Sequence, residues 1–245
     1  IFEAGLDSLS SVQFIADANE YNLNLAIDNL RAHNTIKELA ENIDWLANNN
    51  ADNNDIPDYF PFTPFQKNIL NLIDSGLKNY YVKALFYNPQ KIDFAVFEKS
   101  LGLLFQKYDV FKIRVKKENN QWKQFYDKDN SKPKILYYHL DENEINDYKL
   151  VSDKQCEFVS NLSIERGDIF KCIVFYNEKT NNNYILFIFH HIVIDAISLY
   201  ILFNDLIKIY VGLKNGLFVL PPKKQVSFRE YSILLNNYAN NQDFT

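Results

Sequence analysis

Apolar positions along the chain follow two periodicities, separated by a polar stretch. In the first forty-odd residues they recur at helical spacing, with Leu9, Val12, Ile15 and Ala16 following Asp7, a residue type that caps helix starts. A second helix is predicted to open at Thr35-Ile36-Lys37-Glu38, a capping box whose side chains satisfy orphan N–H groups. Its apolar face reads Ile36, Leu39, Ala40, Ile43 and Ala47. Between residues 48 and 57 the pattern gives way to Asn, Asp and Ala, which marks a linker. The expected division is a helical segment over 1–47, a linker over 48–57 and a second domain over 58–245.

After Pro57 the texture is mixed. Phe94, Phe97, Leu101, Leu104, Phe105 and Tyr108 trace one face of a long amphipathic helix. It leads into Phe111-Lys112-Ile113-Arg114-Val115, whose alternation predicts a half-buried strand. Residues 169–176 and 184–189 read as two further strands joined by an Asn-rich hairpin connection. Helices are predicted over about 196–211 and 227–238. The fold class is therefore α+β, layered, with a largely buried sheet.

Composition narrows the field. Of the 245 residues 47% are hydrophobic and 23% charged, a globular balance, and the net charge of −5 without a basic block argues against nucleic acid as a partner. The longest continuous apolar runs fall far short of the ~20 residues of a membrane helix. The chain starts at Ile1 rather than methionine and carries no signal peptide, so it reads as an internal piece of something longer. Cys156 and Cys172 make neither a disulfide framework nor a C-x-x-C pair, and are expected to be buried free thiols in a reducing cytosol.

Two stretches carry candidate chemistry. "FIFHHIVIDAIS" places His190 and His191 side by side with Asp195 shortly after. Neighbouring side chains on a strand point to opposite faces, so one histidine faces a cleft while the other packs inward. Asp195 follows a turn, where a carboxylate holds a helix start or pairs with a cation. Adjacent histidines converge poorly on one ion and no third strong ligand lies nearby, so no metal is expected. A purely structural histidine pair stays open on these residues alone. "FEAGLDSLSS" puts Ser8 at the first turn of a helix beside Asp7. This is a capping pair, or an attachment point where the positive helix end favours a phosphodiester.

In its full context GLDSL resembles the prosthetic-group site of acyl and peptidyl carrier proteins, G-x-D-S-L, in a form nearer to polyketide carriers than to GG-x-S. "NTIKELAENI" resembles the last carrier helix. The resemblance implies 4'-phosphopantetheine on Ser8, installed by a phosphopantetheinyl transferase, within a partial all-α carrier bundle whose first helix is missing. H-H-x-x-x-D resembles the H-H-x-x-x-D-G signature of the condensation-domain superfamily of nonribosomal peptide synthetases, which has the chloramphenicol-acetyltransferase-like fold. "TPFQKNILNL" is similar to S-x-A-Q-x-R-L-W-x-L, "KYDVFKIRV" to R-H-E-x-L-R-T-x-F and "SFREYS" to Y-x-D-Y-A, in the family's order. The superfamily has two lobes around a tunnel, and this sequence stops where the second lobe should begin.

The activity so implied is amide formation between an upstream carrier-bound acyl or peptidyl thioester and a downstream carrier-bound aminoacyl thioester. His191 would face the cleft and take or orient the amine proton, with His190 structural behind it. Asp195 would pair with a motif arginine. The two arginine positions are Lys107 and Lys112 here, which lack the planar fork. Arg114 is close and could substitute, on the same face as Lys112 by strand alternation. Ala196 replaces the motif glycine, which strains the turn by about 1 kcal/mol if φ is positive there, or narrows the tunnel. Epimerisation by the same superfamily, or a non-catalytic remnant that docks carriers, are the rival functions.

Overall fold

The computed structural model describes residues 10–45 apart from 12, 13, 16, 19, 20, 22, 34 and 43, and residues 59–240 apart from 78–79, 128–132, 142, 145–147, 161 and 218–225. Asp7, Ser8, Ile43, Ala47 and the 48–57 linker lie outside the described residues. The chain divides into two units, Ile1–Ile56 with Ala196–Phe203, and Pro57–Asp195 with Asn204–Thr245.

In the first unit, helical residues between 10 and 18 precede a short strand β1 (Leu23–Asn24), helices α1 (Ile27–Ala32) and α2 (Ile36–Glu41), and a strand β2 (Asp44–Trp45) antiparallel to β1. Leu25, Leu30 and Leu39 form its core with Phe14, Ile15 and Ala18. The Thr35 box closes as expected: Glu38 N–H donates to Thr35 Oγ1 at 3.1 Å and Thr35 N–H to Glu38 Oε2 at 3.3 Å. The predicted apolar face of α2 is corrected, since Ile36 is 71% exposed, Ala40 is exposed and only Leu39 is buried. The helix ends at Glu41 because the chain turns into β2, so the pattern has no room to continue.

The second unit runs β3 (Tyr59–Phe60), α3 (Pro64–Asp74), β4 (Tyr81–Asn88), α4 (Phe94–Lys107), a 3-10 turn (Asp109–Lys112), β5 (Ile113–Glu118), β6 (Gln121–Tyr126), β7 (Ile135–His139), α5 (Tyr148–Ser160), β8 (Phe170–Tyr176) and β9 (Asn183–His190). Helix α6 (Ala196–Lys214), whose residues 196–203 are counted with the first unit, and helix α7 (Phe228–Asn240) follow. A four-stranded sheet has the order β4-β9-β8-β7, with β7 and β8 parallel and the other pairs antiparallel; a smaller sheet is β3-β6-β5. The predicted β8–β9 hairpin forms, Phe170 opposite Phe189 and Tyr176 opposite Asn183.

Asparagine shapes these turns. Asn119 and Asn120 both take positive φ, 48° and 62°, as a two-residue hairpin between β5 and β6 requires. Asn177 is 3% exposed and its side-chain oxygen accepts from the N–H groups of Lys179 and Thr180, at 3.0 and 2.9 Å.

Strand β9 lies at the centre of the larger sheet and is buried on both faces. Leu186 and Ile188 join Ile173, Phe175, Leu140, Val151 and Leu162 in one cluster. Phe187 and Phe189 meet the rings of Phe97, Phe111 and Phe170. A strand covered on both sides reads as a continuous apolar run, and Phe187-Ile188-Phe189 is that run.

Three expectations change. Residues 109–112 form a 3-10 turn, so the strand starts at Ile113 and Lys112 is not part of its alternation. Cys172 is buried, where burial pushes its thiol pKa up, but Cys156 is exposed. Helix α6, at 19 residues and mean hydropathy 1.5, is long and apolar enough to cross a membrane by length and composition. A scan for continuous apolar runs misses it because Asn204, Asp205 and Lys208 interrupt the run. Its Asp205 is buried against Lys107 of α4, 2.9 Å away, while Ile197, Tyr200, Ile207 and Val211 on the same helix are exposed.

Candidate active site

Strand β9 ends at His190, and the turn that follows carries His191. The strand fixes His190 in the buried layer: it is 1% exposed and its N–H donates to Ile169 O at 2.8 Å. Its Nδ1 accepts from Ile192 N–H at 3.1 Å, which assigns the ring proton to Nε2. Tyr81 meets the ring edge-on at 4.9 Å. Burial, and secondarily the neighbouring His191, push the pKa of His190 down to about 4. It is neutral at pH 7 and a poor proton acceptor.

His191 is held differently. Its N–H donates to Tyr80 O at 2.9 Å, and its Nδ1 lies 2.7 Å from Ile194 O. A carbonyl only accepts, so Nδ1 carries the proton and the lone pair of the neutral ring sits on Nε2. The imidazole stacks on Tyr80 with centroids 5.0 Å apart and 21° between planes, and meets Phe65 at 5.3 Å and 59°. The two histidines thus occupy different surroundings, one sealed and one half-buried.

The turn is braced from α3. Gln66, 1% exposed, donates from Nε2 to Ile192 O at 3.2 Å. The same side chain closes a capping box with Thr63: Thr63 N–H donates to Gln66 Oε1 at 3.0 Å and Gln66 N–H to Thr63 Oγ1 at 3.3 Å. The Thr-x-x-Gln spacing is the signal for the box, and nothing local announces the bond to a carbonyl 126 positions away.

Asp195 is exposed and directly precedes α6, at its N-cap position. Lys107 places Nζ 2.9 Å from Asp205 Oδ2, and Tyr108 OH donates to the same oxygen at 2.5 Å. Lys112 sits in the 3-10 turn, its carbonyl accepting from Asp127 N–H at 2.8 Å. Arg114 pairs with Asp127 at 2.9 Å and donates to the carbonyls of Ile113 and Phe111 at 2.8 and 3.3 Å. The expectation that Arg114 substitutes for the motif arginine at Asp195 is therefore corrected: among the described residues its carboxylate partner is Asp127. The register of β5 on β6, with Ile113 opposite Tyr126, brings Arg114 beside the residue that follows β6. Of the two alternatives for Ala196, the strained turn is ruled out, because this residue opens α6 and is not among those with positive φ.

A second brace joins the stretches that contain "KYDVFKIRV" and "SFREYS". Asp109 accepts from Tyr126 OH and from Phe228 N–H, the latter at 2.8 Å, and Tyr126 OH accepts from Arg229 N–H at 2.9 Å. Ser227 and Glu230 close a capping box at 2.7 and 3.1 Å. Orphan donors of the first turn of α7 are thereby satisfied from three elements. Ser8, the remaining candidate, lies outside the described residues.

The family model for the condensation domain matches residues 57–245, and that for the phosphopantetheine attachment site matches residues 1–43. The chain belongs to the condensation-domain family, with a carrier segment ahead of the condensation segment. Among curated relatives it is 27% identical to a linear gramicidin synthase from Brevibacillus parabrevis, over 99% of this chain and 5% of that protein. It is 25% identical to surfactin synthase subunit 1 of Bacillus subtilis (strain 168), over 99% of this chain and 7% of that protein. The chain thus spans a small part of these relatives' length. Its fold resembles the epimerization domain from the third module of tyrocidine synthetase B, with TM-score 0.65 and 17% identity over 74% of this chain and 41% of that one. It also resembles the first condensation domain of the calcium-dependent antibiotic synthetase, with TM-score 0.61 and 15% identity over 74% and 45%.

Proposed function

We propose that this chain is a stretch of a nonribosomal peptide synthetase, or of a hybrid polyketide and peptide synthetase, working in the cytosol. In this reading residues 1–47 belong to a carrier, 48–57 to a linker and 58–245 to the first lobe of a condensation domain. The lobe serves amide formation between an upstream carrier-bound acyl or peptidyl thioester and a downstream aminoacyl thioester. Ser8 is the attachment point for 4'-phosphopantetheine, and the match over residues 1–43 supports it. That group supplies a flexible thiol that holds the substrate as a thioester.

The observation that carries the reading is the hydrogen bonding of the histidine pair. His190 is buried and neutral, while Ile194 O holds the proton of His191 on Nδ1 and leaves Nε2 as the acceptor. An amine approaching Nε2 gives up its proton as its nitrogen bonds to the thioester carbonyl carbon. The C–S bond then breaks and the proton leaves with the sulfur as a thiol. The positive charge held meanwhile on the ring is offset by the Ile194 carbonyl on the far nitrogen. His190 and Gln66 shape the turn, Asp195 and Lys107 are structural without a metal, and Lys112 and Arg114 brace Asp127 at the end of β6.

The fold alone does not separate this reading from epimerisation, since a solved epimerization domain shares it at TM-score 0.65. The test is to load both flanking carriers of the intact parent synthetase and follow the products by mass spectrometry and chiral chromatography. An amide on the downstream carrier is the expected result. Inversion of an upstream α-carbon without amide supports epimerisation, and neither product supports the remnant.

A further inference from the structure

Phe65 is 44% exposed at the first turn of α3, yet its ring lies 5.3 Å from the imidazole of His191. An aromatic side chain left half in water forgoes much of its burial. Its placement therefore calls for a second use. Tyr80 stands immediately before β4, accepts the His191 N–H on its carbonyl at 2.9 Å and lies nearly parallel to the imidazole at 5.0 Å and 21°. The same residue thus grips both the backbone and the ring of His191. Both supports are themselves fixed: β4 pairs along its whole length with β9, Tyr81 opposite His190, and the first turn of α3 is tied through Gln66 to Ile192 O.

A single hydrogen bond at Nδ1 works as a pivot. With only the Ile194 carbonyl to hold it, the ring could rotate and swing Nε2 through an arc. A stacked face and a second ring remove that rotation. We infer that Tyr80 and Phe65 are positioning residues, an aromatic clamp that sets the plane of the His191 ring and so the direction in which Nε2 points. This rests on the proposed role of His191 and adds two residues to it. Displacing a reacting group by about 1 Å can cost up to a hundredfold in rate, so loosening the clamp should act on turnover rather than on binding.

The test uses the intact parent synthetase with its upstream carrier loaded and a soluble aminoacyl thioester as acceptor. Tyr80→Leu and Phe65→Leu should each lower kcat about tenfold while leaving KM within about twofold, whereas Tyr80→Phe, which keeps the ring face, should stay near the parent rate. A merely structural role would not be rescued by Tyr80→Phe while sparing KM in Tyr80→Leu. If Tyr80→Leu lowers the yield of folded protein, Phe65→Leu carries the same test from an exposed position. Parent-like kcat in the leucine variants, or equal losses in Tyr80→Phe and Tyr80→Leu, overturns the clamp. His191→Ala is run alongside: full activity there defeats the reading of His191 itself, so the two failures are distinguishable.

Discussion

Removing the ammonium of Lys107 strands a carboxylate. The Lys107 and Asp205 side chains are 7% and 6% exposed and 2.9 Å apart, bridging α4 and α6. In Lys107→Met, Asp205 keeps one described partner, the hydroxyl of Tyr108 at 2.5 Å. Breaking a buried pair from one side costs about 3–5 kcal/mol, and the surviving phenol places this case near the lower end, about 3 kcal/mol. For a chain of this size that is a fall in Tm of about 6–12 °C. Asp205→Leu alone removes the carboxylate partner of the buried ammonium and should also destabilise. The double variant, which removes both charges and fills the space with apolar atoms, should return to within about 1 kcal/mol of the parent. Urea unfolding of the four proteins, followed by circular dichroism, gives the cycle directly. A loss below about 1 kcal/mol in Lys107→Met, the range of exposed pairs, would refute the argument that this pair is cut off from water.

Two further outcomes follow from the same geometry. His190 has its pKa pushed down to about 4 by burial, from an ordinary value near 6.5. Above pH 6.5 both folded and unfolded chains leave it neutral, and below that the unfolded chain binds a proton that the folded one refuses. Stability should therefore fall by about 3 kcal/mol as pH drops from about 6.5 to about 4, and His190→Met should remove that slope in pH-dependent urea titrations. Gly167 takes φ +80°, and a Cβ there would lie 2.9 Å from Arg114 Cδ. Gly167→Ala should cost about 1–2 kcal/mol from backbone strain, plus whatever displacing Arg114 adds, and measured against an Arg114→Ala background the same change should cost only the backbone part, as thermal unfolding would report.

The sequence carried the long-range facts only where they left a local trace. Helix α4 was legible because Phe97, Leu101 and Leu104 repeat on one face, and the β8–β9 hairpin because two apolar runs flank an Asn-rich turn. Strand alternation predicts two different environments for the histidine pair, but the strand ends at His190 and it is the turn that sets His191 apart. The partners were not legible. Lys107 reaches Asp205 across 98 positions and Gln66 reaches Ile192 across 126, and no periodicity links residues so far apart. Arg114 was misplaced because the alternation was counted from Lys112, inside a 3-10 turn with a different period. Strand β4 went unread because Tyr81 to Asn88 mixes Lys, Tyr and Asn with apolar residues, its outer face being partly exposed. Within the Asn-rich hairpin connection and just before it, Asn183 and Asn177 are both 3% exposed and tie the hairpin end to neighbouring carbonyls, which nothing in the local pattern announces.

The central claim is that Nε2 of His191 takes part in amide formation. The most direct measurement is single-turnover product formation in the parent synthetase carrying His191→Ala, with thioester loading of both carriers quantified in the same sample. The predicted result is full loading and a loss of amide product of at least about a hundredfold, the scale of general acid–base catalysis. Undiminished product with intact loading would contradict the account.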